Sequence, residues 1–505
     1  MILESLIVLV YALCLLILLL FALTQVYLFY QFKINRKVFF ETRLSPFSTS
    51  QELPRVTVQL PIFNEYNVIK RLLNKVTQLE YPRHLLEIQV LDDSTDQTSS
   101  LLAQLVADYK AQGVPIIHLQ REHRTGFKAG ALKAGLEVAT GEFIAIFDAD
   151  FLPEKDWLLR TLPYFDRPDV GIVQTRWGHL NAEYSILTRV QAFALDLHFG
   201  LEQIGRQASG VFMNFNGTAG IWRKSCILDA GNWSGKTLTE DLDLSYRAQL
   251  KGWRMSYRPD IITPAELPET VRAAKGQQFR WNKGGAQNFR NLWRPLWQSK
   301  NLSLKEKIFG TAHLCSSSLF FLVLLILLLS IPLLWIKNSH PQWQWIFYLF
   351  QGFSLTTILL LWSYTGAYKY LNNQKSLSWA RAIYDFIRFF ILAIGLSANN
   401  ARAVLQGYFG IVSPFVRTPK FNRTEKSSIK APLKSVKATA VEQKKPKVLA
   451  TDLGGPLLDL LLMIYGLFGL WLGFVVGDGG DFGLMPFHLL AAMGFAYLFF
   501  KSIFA

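Results

Sequence analysis

Three acidic pairs are the residues of this chain best suited to chemistry: Asp92 and Asp93 in VLDDSTD, Asp148 and Asp150 in IFDADF, and Glu240 and Asp241 in TLTEDLD. Carboxylates are hard oxygen donors that hold divalent cations, and one in reach of a hydroxyl can take its proton. Neither a GxxxxGK[ST] phosphate loop nor a glycine-rich dinucleotide fingerprint accompanies them. Carboxylates repel a diphosphate, so Mg2+ or Mn2+ bridging the two is the chemistry this arrangement suits. A DxD alone fits a solvated acidic turn equally well. The metal reading is sharpened by the apolar run FIAIF, which delivers Asp148 and Asp150 into a turn, and by the earlier acidic pair. Glu240 and Asp241 stay open between a base for a substrate hydroxyl and acids that complement a helix dipole.

The elements that must position these residues are legible around them. VTVQL (56–60), EIQVL (87–91), PIIHL (115–119) and FIAIF (143–147) read as short strands. Helical patterns at Val68–Leu79, Ser99–Gln112 and Lys128–Ala139 separate them, and a further helix starts at Glu240, with Thr239 as its cap. Alternating strands and helices predict an α/β layer with a mostly parallel sheet, in which ligands bind beyond the carboxyl ends of the strands. PIFNE (61–65), DDSTD (92–96) and DAD (148–150) all fall there.

Membrane-like segments flank this domain. Only 18% of the 505 residues are charged and 50% are hydrophobic, against about 25% charged in ordinary soluble proteins. The first thirty residues form one apolar run, too long for a signal peptide and followed at once by Lys33, Arg36 and Lys37. Further runs long enough to span lie near 308–336, 345–368, 454–474 and 484–502. The stretch 380–412 contains Asp385, Arg388, Asn399, Asn400 and Arg402, which predicts an amphipathic helix pair on the membrane surface. Basic loops put the central domain (53–297) and the 413–450 segment in the cytoplasm. Residues 421–449, rich in Lys, Ser, Thr, Ala and Pro, read as a linker. The net charge of +16 is juxtamembrane in character and suits anionic lipids rather than nucleic acid. Cys14, Cys226 and Cys315 form neither a disulfide framework nor a metal cluster.

In chain order, Asp92-Asp93, Asp148-Ala149-Asp150, Thr239-Glu240-Asp241 and Gln277-x-x-Arg280-Trp281 resemble the motifs of family 2 glycosyltransferases of the cellulose synthase type. The blocks RTGFKAGAL, VQTRW and FNGTAGIWRK are similar to those of bacterial relatives of the plant cellulose-synthase-like mannan and glucan synthases. The resemblance covers about Leu53 to Arg290 and implies a GT-A-like fold. It further implies that Asp92, Asp93, Pro61, Glu65 and Lys128 bind the nucleotide-sugar donor, and that Asp148 and Asp150 hold the metal on its diphosphate. Asp241, with Glu240 beside it, would be the base. Phe215, Asn216, Gly217 and Thr218 would line the acceptor end, and Trp281 would stack on the terminal sugar. Gln277 and Arg280 would bind donor or acceptor groups.

Beyond the domain, SPFVRTPK (413–420) resembles the gating loop of cellulose synthases, pattern FxVTxK, through Phe415, Thr418 and Lys420; Arg417 departs from it by replacing the valine. The expectation is an inverting, processive β-glycosyltransferase in a plasma or inner membrane, moving its glycan across. UDP-glucose is the favoured donor, with GDP-mannose as the alternative. A nonprocessive transferase acting on a lipid is the rival reading, and a transporter that merely binds nucleotide-sugar the remote one.

Overall fold

A computed structural model describes residues 1–41, 52–371, 378–413, 417–422, 454–476 and 480–504. At its centre is a seven-stranded sheet of β1 (Val56–Ile62), β2 (Leu86–Asp92), β3 (Ile116–Gln120), β4 (Phe143–Ile146), β5 (Val170–His179), β6 (Gly220–Arg223) and β7 (Arg254–Ala265). Their order is β3-β2-β1-β4-β6-β5-β7. All ladders are parallel except those of β6, which runs antiparallel to β4 and β5. The first four strands fall within a residue or two of the expected runs.

β1 is central, and both of its faces are covered. Val56, Val58 and Leu60 are buried on one face, Thr57 and Gln59 on the other. The polar pair is tied laterally: Thr57 Oγ1 donates to Glu87 (2.6 Å) and Gln59 Nε2 to Gln89 (3.0 Å). Helices α2 (Ile69–Val76), α3 (Thr98–Ala111) and α5 (Trp157–Thr161) share one core with the sheet; α4 (Phe127–Val138), α6 (Ile186–Leu197), α7 (Gln203–Ser209), α8 (Lys224–Asp229) and α9 (Glu240–Leu250) share the other. The second core also takes in Leu28, Phe29 and Phe32 of the long N-terminal helix α1 (Ile2–Glu41). Gly205 of α7 lies so close to α1 that a Cβ there would sit 2.6 Å from the Leu28 carbonyl.

From the last strand the chain enters α10 (Val271–Gln298), which carries the QxxRW residues, and then α11 (Leu304–Leu314), opened by a Ser303–Glu306 capping box. α12 (Leu319–Ser339), α13 (Gln344–Gly352) and α14 (Ser354–Leu371) follow. Among the described residues, five helical stretches are long and apolar enough to cross a membrane, Ile2–Phe40, Ser316–Ser339, Pro341–Leu371, Gly454–Val475 and Met485–Ile503, and a bent pair, Trp379–Gly395 with Ser397–Tyr408, meets the same measure if counted as one span. The expected 308–336 run therefore divides, its first residues belonging to the separate α11.

The stretch expected as a surface-lying pair is, as far as Tyr408, one helix, α15 (Trp379–Tyr408), bent by 53° after Gly395. Of its polar residues, Asn399 donates to the Lys275 carbonyl of α10 (3.1 Å), Asp385 pairs with Arg381 of the same helix (3.2 Å), and Arg402 is exposed. Gly395 crosses Gly494 backbone to backbone. Most of the basic linker, and Phe415, lie outside the described residues.

Candidate active site

The carboxyl ends of β1, β2 and β4 open into one pocket of about 230 Å³. Its walls bring together Pro61, Glu65, Asp93, Lys128, Asp148, Asp150, Asn216, Gly217, Glu240, Asp241, Gln277, Arg280, Trp281, Arg417, Thr418 and Lys420. These residues come from the domain, from α10 and from the loop after α15, more than 350 residues of chain apart.

Asp148 leaves the end of β4 with its backbone N–H on Thr218 Oγ1 (2.8 Å) and its carboxylate on Lys128 Nζ (2.5 Å). Lys128 also donates to the Gly217 carbonyl (2.9 Å). Burial works against its charge, but Asp148, Glu240 and Asp241 hold its pKa above the usual value. Asp150 is almost fully buried; its Oδ2 accepts from Lys420 Nζ (2.6 Å) and from the Glu266 N–H (3.1 Å). Each carboxylate of the DxD thus already holds an ammonium, so this wall attracts cations. Glu65 lies on the same wall with Oε2 buried and without a hydrogen bond, 3.6 Å from Arg417. Burial, with Asp150 and Asp148 nearby, pushes its carboxyl up to about 8 against the pull of Arg417 and Lys420. No cluster of three or more metal-ligating side chains forms among the described residues. Two carboxylates fit a hard ion whose remaining ligands are diphosphate oxygens and water, the usual arrangement for Mg2+.

Glu240 and Asp241 begin α9. Asp241 Oδ1 accepts from the Leu242 N–H (2.9 Å), while Oδ2 faces Gly217, where a Cβ would sit 2.9 Å from it. Gly217 has φ +82°, so glycine serves this position twice, by its backbone and by its missing side chain. Burial raises the pKa of both carboxyls; the Asp241 charge adds to the rise at Glu240, while Lys128 pulls against it at both. Thr239 does not cap α9. Its hydroxyl accepts instead from Asn288 Nδ2 of α10 (2.8 Å), and Gln287 accepts from the Leu238 N–H (2.9 Å). A Cβ on Gly284 would lie 2.4 Å from Thr239 Oγ1. The glycine after QxxRW therefore lets α10 clamp the segment that presents the acid pair.

Arg280 donates to Thr418 (2.7 Å), and burial pushes its pKa down to about 10, against Asp148 and Glu240. Lys420 and Phe421 both bond Glu266 (2.9 Å each), so 417–421 lies across the Asp150 end of the pocket.

Three expected residues are not on the pocket wall. Asp92 is turned into the fold, bound by His118 (3.0 Å), Ser99 (2.7 Å) and Gln120 (3.2 Å). Burial opposes its charge, but these bonds hold its carboxyl far below the usual range. Asp93 reaches the pocket, held by both arms of Arg121. Phe215 and Thr218 are fully buried beneath the floor, which they support through Trp222 and Asp148. Sequence reasoning missed Phe63 with Arg124 stacked 3.4 Å over its ring, as well as Trp177, His179 and Glu266. Phe63 and Arg124 lie in PIFNE and RTGFKAGAL, where Pro61, Glu65 and Lys128 are the residues that suggest ligand binding.

Residues 54–284 match the family model described as "Glycosyltransferase like family 2". The matched stretch takes in the whole seven-stranded sheet and the first half of α10. Over 263 residues the chain is 45% identical to the probable glucomannan 4-beta-mannosyltransferase 7 of Oryza sativa subsp. japonica, covering 51% of this chain and 45% of that one. It is 42% identical over 265 residues to glucomannan 4-beta-mannosyltransferase 2 of Arabidopsis thaliana, covering 52% and 50%. The chain thus spans about half the length of the curated relatives it matches. The mannosyltransferase PcManGT from Pyrobaculum calidifontis, solved with GDP-Man and Mn2+, superposes with a TM-score of 0.51 at 19% identity, over 78% of this chain and 100% of that one; this is a likeness of fold, GT-A in type. The relatives named are plant proteins, which gives the bacterial assignment no support. Their names specify mannosyl transfer, which gives the lean towards UDP-glucose none either.

Proposed function

We propose that this protein is a membrane-embedded, inverting β-mannosyltransferase that extends a β-glycan from GDP-mannose and passes it across the membrane. The observation that carries the proposal is the meeting, in one pocket, of the DxD carboxylates, the Glu240–Asp241 pair and Trp281 of α10. Mannose is supported by the names of the relatives, and the guanine nucleotide by the ligand of the structural neighbour.

Asp241 Oδ2 takes the proton of the acceptor hydroxyl as its oxygen bonds to the anomeric carbon; the bond from that carbon to the diphosphate oxygen breaks on the opposite face. One displacement turns an α-linked donor into a β-linked product. Asp148 and Asp150 would hold Mg2+ or Mn2+, which offsets the charge developing on the departing diphosphate. Lys128 and Arg280 add positive charge at the same end, and Trp281 gives the acceptor sugar a flat apolar face.

Translocation is supported by a second cavity of about 900 Å³ among α1, α12, α14 and α15 and the Met485–Ile503 helix. It starts at Asn282, next to Trp281, and reaches Lys337 and Asp481. In this reading the five long apolar stretches span the bilayer, α15 lies at its inner face, and the catalytic domain is cytoplasmic. The test is incorporation by purified protein from labelled GDP-mannose and UDP-glucose in parallel, with Mn2+ or Mg2+. Label should enter product from GDP-mannose only and be lost in Asp241→Asn; equal incorporation by that variant would remove Asp241 from the reaction.

A further inference from the structure

Lys283, one turn beyond Arg280 on α10, takes no part in the chemistry above. Its side chain is fully buried, and among the described residues no carboxylate pairs with it. A buried ammonium is costly, and an apolar side chain of similar length would fill the space without that cost. What the charge holds is specific: Nζ donates to Ser413 Oγ (2.7 Å) and to Gln406 Oε1 (3.1 Å). Gln406 is in the last turn of α15 and Ser413 is on the chain leaving it.

The surroundings fix this junction on α10. A Cβ on Gly407 would meet the Lys283 carbonyl at 2.6 Å, so α15 ends directly against this turn. Gly410, at φ +71°, then redirects the chain. Residues i and i+3 of a helix share a face, so Arg280 and Lys283 present two donors side by side, one to Thr418 and the other to Ser413. Two residues beyond Thr418, Lys420 meets Asp150.

We propose that Lys283 is a positioning residue that, through Ser413, fixes where residues 417–420 lie over the donor end of the pocket. The importance of that position to catalysis rests on the function proposed above, but the position itself does not.

Arg417 and Lys420 are tryptic sites, so the loop's position can be read without activity. Full-length protein in lipid nanodiscs is treated briefly with trypsin, and cleavage after Arg417 and Lys420 is followed by mass spectrometry, with the lysines of 425–447 as internal reference. Lys283→Met and Ser413→Ala should each speed cleavage at both bonds about tenfold or more, the scale of losing one hydrogen bond to a charged group. The double variant should be no more than about twice as fast as the faster single, since both remove the same bond. If Lys283→Met does not fold, Ser413→Ala alone carries the test. Unchanged cleavage in Ser413→Ala, or effects that multiply in the double variant, would overturn the proposal. Loss of mannosyl incorporation in the wild type would instead count against the function and leave this result standing.

Discussion

At the scale of single residues, the proposed function gives Asp241 and Asp148 separable duties. Asp241→Asn keeps the shape of the site and removes the proton acceptor, so turnover should fall by about 10²–10⁴-fold while GDP-mannose binding survives; loss of binding by calorimetry would contradict that division. Burial raises the pKa of the base, and the base must be ionised to accept a proton. Activity should therefore fall as pH drops, with the acid limb of kcat/KM above the range of about 3.9 usual for aspartate. A limb at or below that range would contradict the burial account. The acid pairs themselves were legible in the sequence because each follows an apolar strand or opens a helix. The inward turn of Asp92 was not. It is the last paired residue of β2, opposite Ile62 and Gln120, whereas Asp93 is the first beyond the ladder, and His118 and Ser99 reach Asp92 only in the folded chain.

At the scale of elements, α10 organises the site. It supplies Arg280 and Trp281 to the pocket, clamps Thr239 through Gly284 and Asn288, and receives the end of α15. Gly284→Val should force α10 away from the acid pair and cut kcat with a smaller change in Tm; wild-type kcat would rule the clamp out. The loop supplies a cation where the donor's metal is expected. Lys420→Ala should therefore tighten Mn2+ binding in the absence of donor, measured by the electron paramagnetic resonance of free Mn2+. Unchanged or weaker binding would show that the ammonium does not compete at Asp150. The first four strands were readable from their apolar runs. β6 (GIWR) is short and opens on a glycine rather than lying in an apolar run like β4, and β7 contains two prolines and a register shift. Thr239 looked like a helix cap because its partner lies 49 residues further along the chain.

At the scale of the whole molecule, the candidate site and the second cavity are lined by consecutive residues of one helix, Trp281 and Asn282. Under the proposed function, a product growing at Trp281 would take this cavity as its onward path. Filling that path with Ala393→Trp, a residue of its wall, should shorten the product while the first transfer continues; full-length product would exclude this route. The apolar runs made the spans readable. The bend of α15 and its burial against α10 were not, because Asn399, which suggests a water-facing helix, here bonds the backbone of α10.

The most direct measurement uses purified protein in lipid vesicles with Mn2+ and radiolabelled GDP-mannose. The product is sized, extracted with organic solvent and digested with endo-β-mannanase. A long, mannanase-sensitive chain that resists extraction, and is absent with Asp241→Asn, is the predicted result. Label confined to a small, lipid-extractable, mannanase-resistant product would contradict a processive β-mannan synthase.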